Sequence, residues 1–478
     1  MQDQLEEQLA PLQKRIPVFT RSVKGDFRRF KWLVLMLAYG VFFGLPWLPW
    51  ARADAPSQAV LLDLPGRRFL IFDLTVYPQD VLWLALLLFI AAVLLFFVTG
   101  LVGRAFCGYF CFQTLWTDFY IWIETKIQGE RPARIRLFRQ PWDKEKTLKL
   151  ALTHALWLLA SFWTGVTFAA YFAYAPQLLS DVFTGQAAAA AYLTIGLITL
   201  STYAAAGLMR EQVCTFICPY GRFQSVMYDR ETLAVHYDAK RGEGTHGRAG
   251  ARSDLRKLEQ RRARGYGDCI DCGMCVQVCP AGIDIRDGLQ YRCISCGLCI
   301  DACNSIMDSM RFPRGLIRYD SEANLSRPQP QEPQLHWKRL KIIGYGVALV
   351  GMTAYLILSI ATRSDFDNSV SQVRQPLFVT LSNGDIRDRY QIQITNTGTH
   401  EETYAISAQD IPPSALDLGN FKTVHVRPGE SATVMASVNL SPENAARIHQ
   451  FQFLITPQSA PDQARAELAR FNANSTQP

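Results

Sequence analysis

Twelve cysteines stand in this 478-residue sequence, and every one belongs to a spaced motif. Eight form a tandem repeat. Cys269, Cys272, Cys275 and Cys279 read C-x2-C-x2-C-x3-C with Pro280 behind them. Cys293, Cys296, Cys299 and Cys303 repeat that spacing 24 residues later, with Asn304 after the last. Three cysteines this close wrap three corners of a cubane, and the fourth cannot turn back to the same cubane, so it ligates the other. One 4Fe–4S cluster is therefore expected on Cys269, Cys272, Cys275 and Cys303, and a second on Cys293, Cys296, Cys299 and Cys279. Gly273 and Gly297 follow the second cysteine of each run, where the backbone must turn tightly round a sulfide. Zinc is the competing ligand, but it favours two C-x2-C pairs across a longer loop.

The other four cysteines form two C-x3-C pairs: Cys107 and Cys111 in Cys-Gly-Tyr-Phe-Cys, and Cys214 and Cys218 in Cys-Thr-Phe-Ile-Cys-Pro. On a helix this spacing sets two thiols on one face, with Cβ atoms about 5–6 Å apart. Such a pair can clamp a soft ion such as Cu(I), or cycle between dithiol and disulfide. Two buried structural pairs are the third possibility, since free cysteine is a common core residue. Haem is not indicated: there is no C-x-x-C-H, and no histidine adjoins either pair.

Long apolar runs must position these groups. Residues 32–50, 81–102, 148–172, 187–208 and 342–361 are each long enough to cross a bilayer. No cleavable leader precedes them. The segment before the first run carries seven Lys/Arg and the loop 103–147 carries eight, whereas the loop 51–80 has only Arg52, Arg67 and Arg68 and residues 173–186 have none. That asymmetry predicts a cytoplasmic N-terminus, a cytoplasmic insert 209–341 and a C-terminus on the other side. Both C-x3-C pairs then emerge at the same cytoplasmic face. The absence of cysteine beyond Cys303 agrees with thiolate ligands in a reducing compartment rather than a disulfide framework. The net charge of +7 is read as topogenic and lipid-facing, not as a nucleic-acid surface.

The expected architecture is a multi-domain membrane protein: a five-helix transmembrane bundle, a cytoplasmic two-cluster ferredoxin-like α+β module and a C-terminal all-β Ig-like sandwich. Residues 1–31 form a leader, 32–208 four spans with their loops, 209–267 a linker, 268–312 the cluster module, 313–341 a second linker, 342–361 the fifth span and 362–478 the outer, periplasmic domain. Within the first linker the Gly/Arg-rich stretch 240–265 reads as a hinge, loose or helical in part. The tail shows strand patterns at 377–382, 389–395, 421–426, 432–440 and 451–456, with turn signals at Asn383-Gly384 and Pro428-Gly429. His154 falls inside the third run, where an interhelical hydrogen bond is expected. His236 reads as a surface residue. Asp118 and Glu124 are expected at the membrane interface beside basic partners.

The stretches around the paired cysteines resemble a known family. Cys107-Gly-Tyr-Phe-Cys111 with Gln113-Thr-Leu-Trp-Thr117, and Cys218-Pro-Tyr-Gly-Arg-Phe-Gln-Ser225 running on to Tyr237-Asp238 and Arg241-Gly242-Glu243, are similar to the signatures of the CcoG/FixG/RdxA cytochrome c oxidase accessory proteins. The resemblance covers nearly the whole chain. It implies a bacterial inner-membrane oxidoreductase that reduces Cu(II) to Cu(I) for assembly of a C-type haem–copper oxidase. Cys107, Cys111, Cys214 and Cys218 would be the catalytic, copper-handling thiols, and the eight ferredoxin cysteines would supply electrons. The implied partners are haem–copper oxidase subunits or a copper chaperone, and an unidentified cytoplasmic electron donor; the oligomeric state stays open, a homodimer included. The chain departs from the family pattern at Phe112, where proline is usual and would break a helix. An electron-relay membrane ferredoxin and an oxidase-assembly scaffold are the competing functions.

Overall fold

The computed structural model describes residues 18–472, except 53–55, 253–254, 329–330, 374–377, 399 and 420. Residues 1–17 of the expected leader lie outside the described residues. The chain divides into two compact units, one of residues 1–76 and 82–353 and the other of residues 77–81 and 354–478.

Seven helices frame the first unit: α1 (Asp26–Gly44), α2 (Val81–Val102), α3 (Phe112–Gln128), α4 (Lys144–Ala170), α5 (Ala189–Thr202), α6 (Leu298–Met310) and α7 (Leu340–Ala361), the last running on into the second unit. Among the described residues five helices are long and apolar enough to cross a membrane: α1 extended to Trp47, α2, α4, α5 extended to Met209, and α7. Their outward leucines, such as Leu87 and Leu88 of α2 and Leu193 and Leu197 of α5, are exposed in the isolated chain, as side chains that face lipid must be.

Two starts differ from the sequence reading by more than two residues, and capping explains both. α1 begins at Asp26 rather than residue 32 because Asp301 of α6 reaches its first turn. The backbone N–H groups of Arg28 and Phe27 donate to that carboxylate at 2.8 and 3.4 Å. Gly25 makes room for it: a Cβ there would lie 2.2 Å from the Asp301 Cγ. α4 begins at Lys144 because Asp143 caps it, accepting from the Lys146 N–H at 2.7 Å. The expected loop 103–147 is largely helical. α3 lies along α4, held by Trp116 Nε1 donating to Thr164 Oγ1 at 3.0 Å and Trp157 Nε1 donating to the Tyr120 carbonyl at 3.2 Å. His154 bonds across to Tyr203 at 2.9 Å, an interhelical contact as expected.

The stretch read as a hinge, loose or helical in part, is helical at Leu258–Ala263 and is tied down by one residue. Arg261 is fully buried and donates to the carbonyls of Gly267, Cys269, Ala249 and Leu255. His236, read as a surface residue, instead lies half-buried in a strand. It pairs with Arg318 in the antiparallel ribbon of β4 (Ala234–Tyr237) and β5 (Ile317–Asp320). The cluster module therefore draws its ribbon from both segments read as linkers. A small antiparallel sheet of β1 (Val60–Asp63), β2 (Arg68–Ile71) and β3 (Leu74–Val76) fills the loop between α1 and α2.

The second unit is a two-sheet sandwich. One sheet runs β10 (Leu416–Asp417), β12 (Ser431–Leu440), β8 (Ile386–Asn396), β6 (Phe366–Gln372), with β7 (Val379–Thr380) also on β8. The other runs β11 (Thr423–Val426), β9 (Glu402–Gln409), β13 (Gln450–Pro457), β14 (Arg465–Arg470). Alternate residues point inward, as in Tyr390, Ile392 and Ile394 against Tyr404, Phe453 and Ile455. Asp388 shares the buried face. Its Oδ2 accepts from Gln372, Tyr390 and the Asn472 N–H, while Oδ1 finds no donor. Burial pushes the Asp388 carboxyl up to about 6.

The folded state thus holds a proton that the unfolded chain gives up near pH 4, so stability is lost as pH rises through 6. Urea midpoints of the sandwich should fall between pH 5 and pH 7.5. Asp388→Asn should flatten that slope and add on the order of 2 kcal/mol at neutral pH. An unchanged wild-type midpoint across this range would contradict the assignment.

Candidate functional site

The ferredoxin cysteines line two adjoining cavities. Cys269, Cys272, Cys275 and Cys303 face one of them, closed by Ile306 and Leu316. Cys279, Cys293, Cys296 and Cys299 face the other, closed by Val235, Ile283 and Ile285, with Cys275 on the wall between. The fourth cysteine of each run thus lies with the three of the other. The backbone repeats as the sequence does: Asp271 and Gly273 have φ of 52° and 64°, and Ser295 and Gly297 have 50° and 71°. Backbone N–H groups of Ala281, Gly282 and Ile283 point at the Cys279 sulfur. Four thiols, an apolar wall and inward N–H groups in each cavity fit a cubane cluster.

The paired cysteines do not sit on a continuous helix face. Cys107 lies in a short turn of helix, Ala105–Tyr109, and Cys111 is the extended residue that starts α3, with φ −65° and ψ 129°. Cys214 lies in a π turn, Val213–Ile217. Cys218 starts the next helix, Pro219–Val226, with φ −73° and ψ 110°. A second π turn, Tyr203–Met209, ends α5. Both stretches widen the backbone locally, as π turns do. Phe112 and Pro219 occupy the same position, the first residue of a helix, where proline is tolerated because the missing N–H would be unpaired anyway. A phenylalanine there leaves the backbone as it is, and its ring stacks on Trp116 at 4.0 Å.

The two pairs meet. A charge on Cys111, Cys214 or Cys218 is felt at Cys107, and one on Cys111 or Cys218 at Cys214. Burial and these neighbours push Cys107 up to about 12 and Cys214 up to about 11, so a metal that binds them must displace protons. Among the described residues no three Cys, His, Asp or Glu side chains close on a point tightly enough to hold one metal ion.

The first pair is docked on the second cluster loop. Tyr109 donates from its hydroxyl to the Cys296 carbonyl at 2.9 Å, fully buried. Gly108 lies so close that a Cβ there would stand 2.7 Å from the Ile294 carbonyl oxygen and 3.0 Å from the Cys296 Cα.

A family described as "4Fe-4S dicluster domain" matches residues 209–322, one described as "4Fe-4S binding domain" matches 84–129, and one described as "IG-like fold at C-terminal of FixG" matches 356–474. Protein RdxB of Cereibacter sphaeroides is 43% identical over 410 residues, covering 85% of this chain and 84% of its own. The nitrogen fixation protein FixG of Rhizobium meliloti is 36% identical, covering 96% of this chain and 93% of its own. The chain belongs to the FixG/RdxA family. Protein RdxA of Cereibacter sphaeroides, at 42% over 82% of each chain, is similar to the same extent. As a FixG/RdxA-family protein the chain is an iron–sulfur protein of oxidoreductase type, with membrane-spanning helices and an Ig-like tail.

Several residues of this FixG/RdxA-family site make contacts that the sequence does not specify, and Asp118 and Glu124 have the basic partners expected of them. Gln224 is fully buried: its Oε1 accepts from the Cys107 thiol at 3.3 Å, and its Nε2 donates to Tyr220 and Thr99. Gln113 donates to the carbonyls of Ala205 and Arg210, tying the start of α3 to the end of α5. Asp118 pairs with Arg28 at 2.9 Å and Lys31 at 3.3 Å. Glu124 pairs with Arg210 at 2.8 Å and Arg134 at 3.3 Å. Burial alone would raise the Asp118 carboxyl, but Lys31 and Arg28 hold it below its usual range. These networks fix α3, and with it Cys111, against α1 and the segment that leads into Cys214. Both glutamines stand inside the stretches that resemble the family signatures, but those stretches do not say what the glutamines contact.

Proposed function

We propose that the chain takes electrons in at its ferredoxin module and passes them to Cu(II) at the four paired thiols, releasing Cu(I) for assembly of a C-type haem–copper oxidase. The docking of Gly108 and Tyr109 on the Cys296 loop is the observation that carries this reading, because it joins the copper-type ligands directly to one cluster cavity. A 4Fe–4S cluster, when bound, supplies a reversible electron at low potential. The chain's own part is to hold soft ligands where that electron arrives. One electron converts Cu(II) to Cu(I), and thiolates favour the product because they are soft. In this reading the N-terminus and the cluster module are cytoplasmic and the sandwich is periplasmic, a sidedness that the Lys/Arg asymmetry supports. There the sandwich would meet oxidase subunits or a copper chaperone, while a cytoplasmic carrier reduces the module.

The test is anaerobic Cu(II) reduction by the purified, reduced protein, read with a Cu(I)-specific chelator. Cys107→Ser combined with Cys214→Ser should keep about eight irons, as two clusters require, and lose copper reduction by at least about a hundredfold, the scale of losing metal ligands rather than their supports. Equal reduction by both proteins would move the assignment to the relay or the scaffold.

A further inference from the structure

Arg104 lies between the two sets of sulfur ligands, and no carboxylate pairs with it among the described residues. It is 4% exposed. Its Nη1 donates to the carbonyl of Tyr291, just before Cys293, while Nε and Nη2 find no protein acceptor. It shares a cavity with Cys214 on one side and with Pro280, Ala281 and Ile294 of the cluster loops on the other. A Cβ built on Gly221 would lie 3.8 Å from Nη2 and 2.9 Å from the Cys214 carbonyl oxygen, so the guanidinium stands against the turn of the second pair. Two carboxylates line the same cavity. Asp118 is taken by Arg28 and Lys31, and Glu211 makes no ion pair with Arg104. The guanidinium also pulls down the thiols of Cys107, Cys214 and Cys293, against the burial that raises them.

A buried guanidinium without a counter-charge is costly. Here the missing negative charge is the kind that thiolate ligands carry once they are loaded. We infer that Arg104 is the shared counter-charge of the paired thiols and of the cluster cavity formed by Cys279, Cys293, Cys296 and Cys299, coupling occupancy of one to the redox equilibrium of the other. Its copper half rests on the function proposed above; its cluster half does not. Lys31, Arg210 and Arg292 line the same cavity, and Arg104 is the guanidinium felt at thiols of both sets, so filling the thiols with Cu(I) adds negative charge beside it and makes reduction on the cluster side harder, and the reverse.

The test compares wild type, Arg104→Gln and Arg104→Lys as full-length proteins by anaerobic redox titration followed by electron paramagnetic resonance, first without copper. At the potential where the affected signal is half reduced in wild type, Arg104→Gln should show a tenfold lower ratio of reduced to oxidised cluster, about 59 mV for one electron. Arg104→Lys should stay within threefold, and the other iron–sulfur signal should not move. Competition with a Cu(I) chelator should then show a tenfold weaker complex for Arg104→Gln, restored by lysine. Loss of iron from Arg104→Gln but not from Arg104→Lys would equally support the need for charge. Full iron with both signals unmoved, or loss of iron from both variants, would overturn the proposal. A shifted signal in a protein that binds no copper even as wild type would keep the counter-charge and reject the copper reading.

Discussion

Gly108→Ala should slow copper reduction at least tenfold while the protein keeps its iron. The added Cβ would meet backbone, not a flexible side chain: the Ile294 carbonyl oxygen at 2.7 Å, the Cys296 Cα at 3.0 Å and the Cys296 nitrogen at 3.2 Å. Neither strand can yield without moving the whole loop, so the Cys107 turn and the cluster loop must separate. Overpacking of this kind costs about 1–3 kcal/mol, enough to displace a contact but not to unfold a chain of this size. Electron tunnelling falls steeply with distance, and the buried hydrogen bond from Tyr109 to the Cys296 carbonyl would be stretched by the same shift. Gly40→Ala is the control, since its Cβ meets nothing within 4 Å. If Gly108→Ala reduces copper at the wild-type rate with all its iron, the contact is not the route.

The crossed arrangement of the ferredoxin cysteines makes an equally large prediction. Cys279 belongs to the first run by sequence but faces the cavity of Cys293, Cys296 and Cys299. Cys279→Ser should therefore drop the iron content from about eight to about four and abolish copper reduction. The signal that survives should match that of Cys296→Ser and differ from that of Cys272→Ser. Cys303→Ser should behave as Cys272→Ser does, because Cys303 faces the other cavity. The opposite matching would falsify the crossed ligand sets.

What could be read from the sequence follows the chemistry closely. Ligand spacing is dictated by the cubane, so the grouping of the eight cysteines, and the tight turns at Gly273 and Gly297, were visible in advance. The long apolar runs announced helices for the same reason, since a bilayer leaves few alternatives. The paired cysteines were placed on the right edge of the right helices but on the wrong backbone. Two π turns and two extended helix starts depend on packing against α3 and the cluster loop, and nothing local specifies them. Arg261 shows the same limit. A stretch crowded with arginine and glycine looks mobile until one guanidinium is seen to collect four carbonyls. In the sandwich, β8 and β12 alternate cleanly, whereas β14, Arg-Ala-Glu-Leu-Ala-Arg, has the composition of a helix and is a strand only because β13 lies beside it. Arg104 went unremarked because a basic residue after an apolar run is ordinary. What sets it apart is its burial with Nε and Nη2 unpaired and no carboxylate paired with it among the described residues.

The cap on α1 has a consequence for how the protein is made. The helix leaves the ribosome early, but the carboxylate that receives its first N–H groups lies 273 residues further along, between Cys299 and Cys303. Until that stretch is synthesised and folded, the leading turn of α1 has no partner for its donors. A ferredoxin fold of this kind consolidates around its metal, so iron delivery and completion of the first membrane helix become a single maturation event. Cells starved of iron should then accumulate a chain whose N-terminal end is open to proteolysis, and quality control could sort unloaded from loaded protein at a site far from either cluster in sequence.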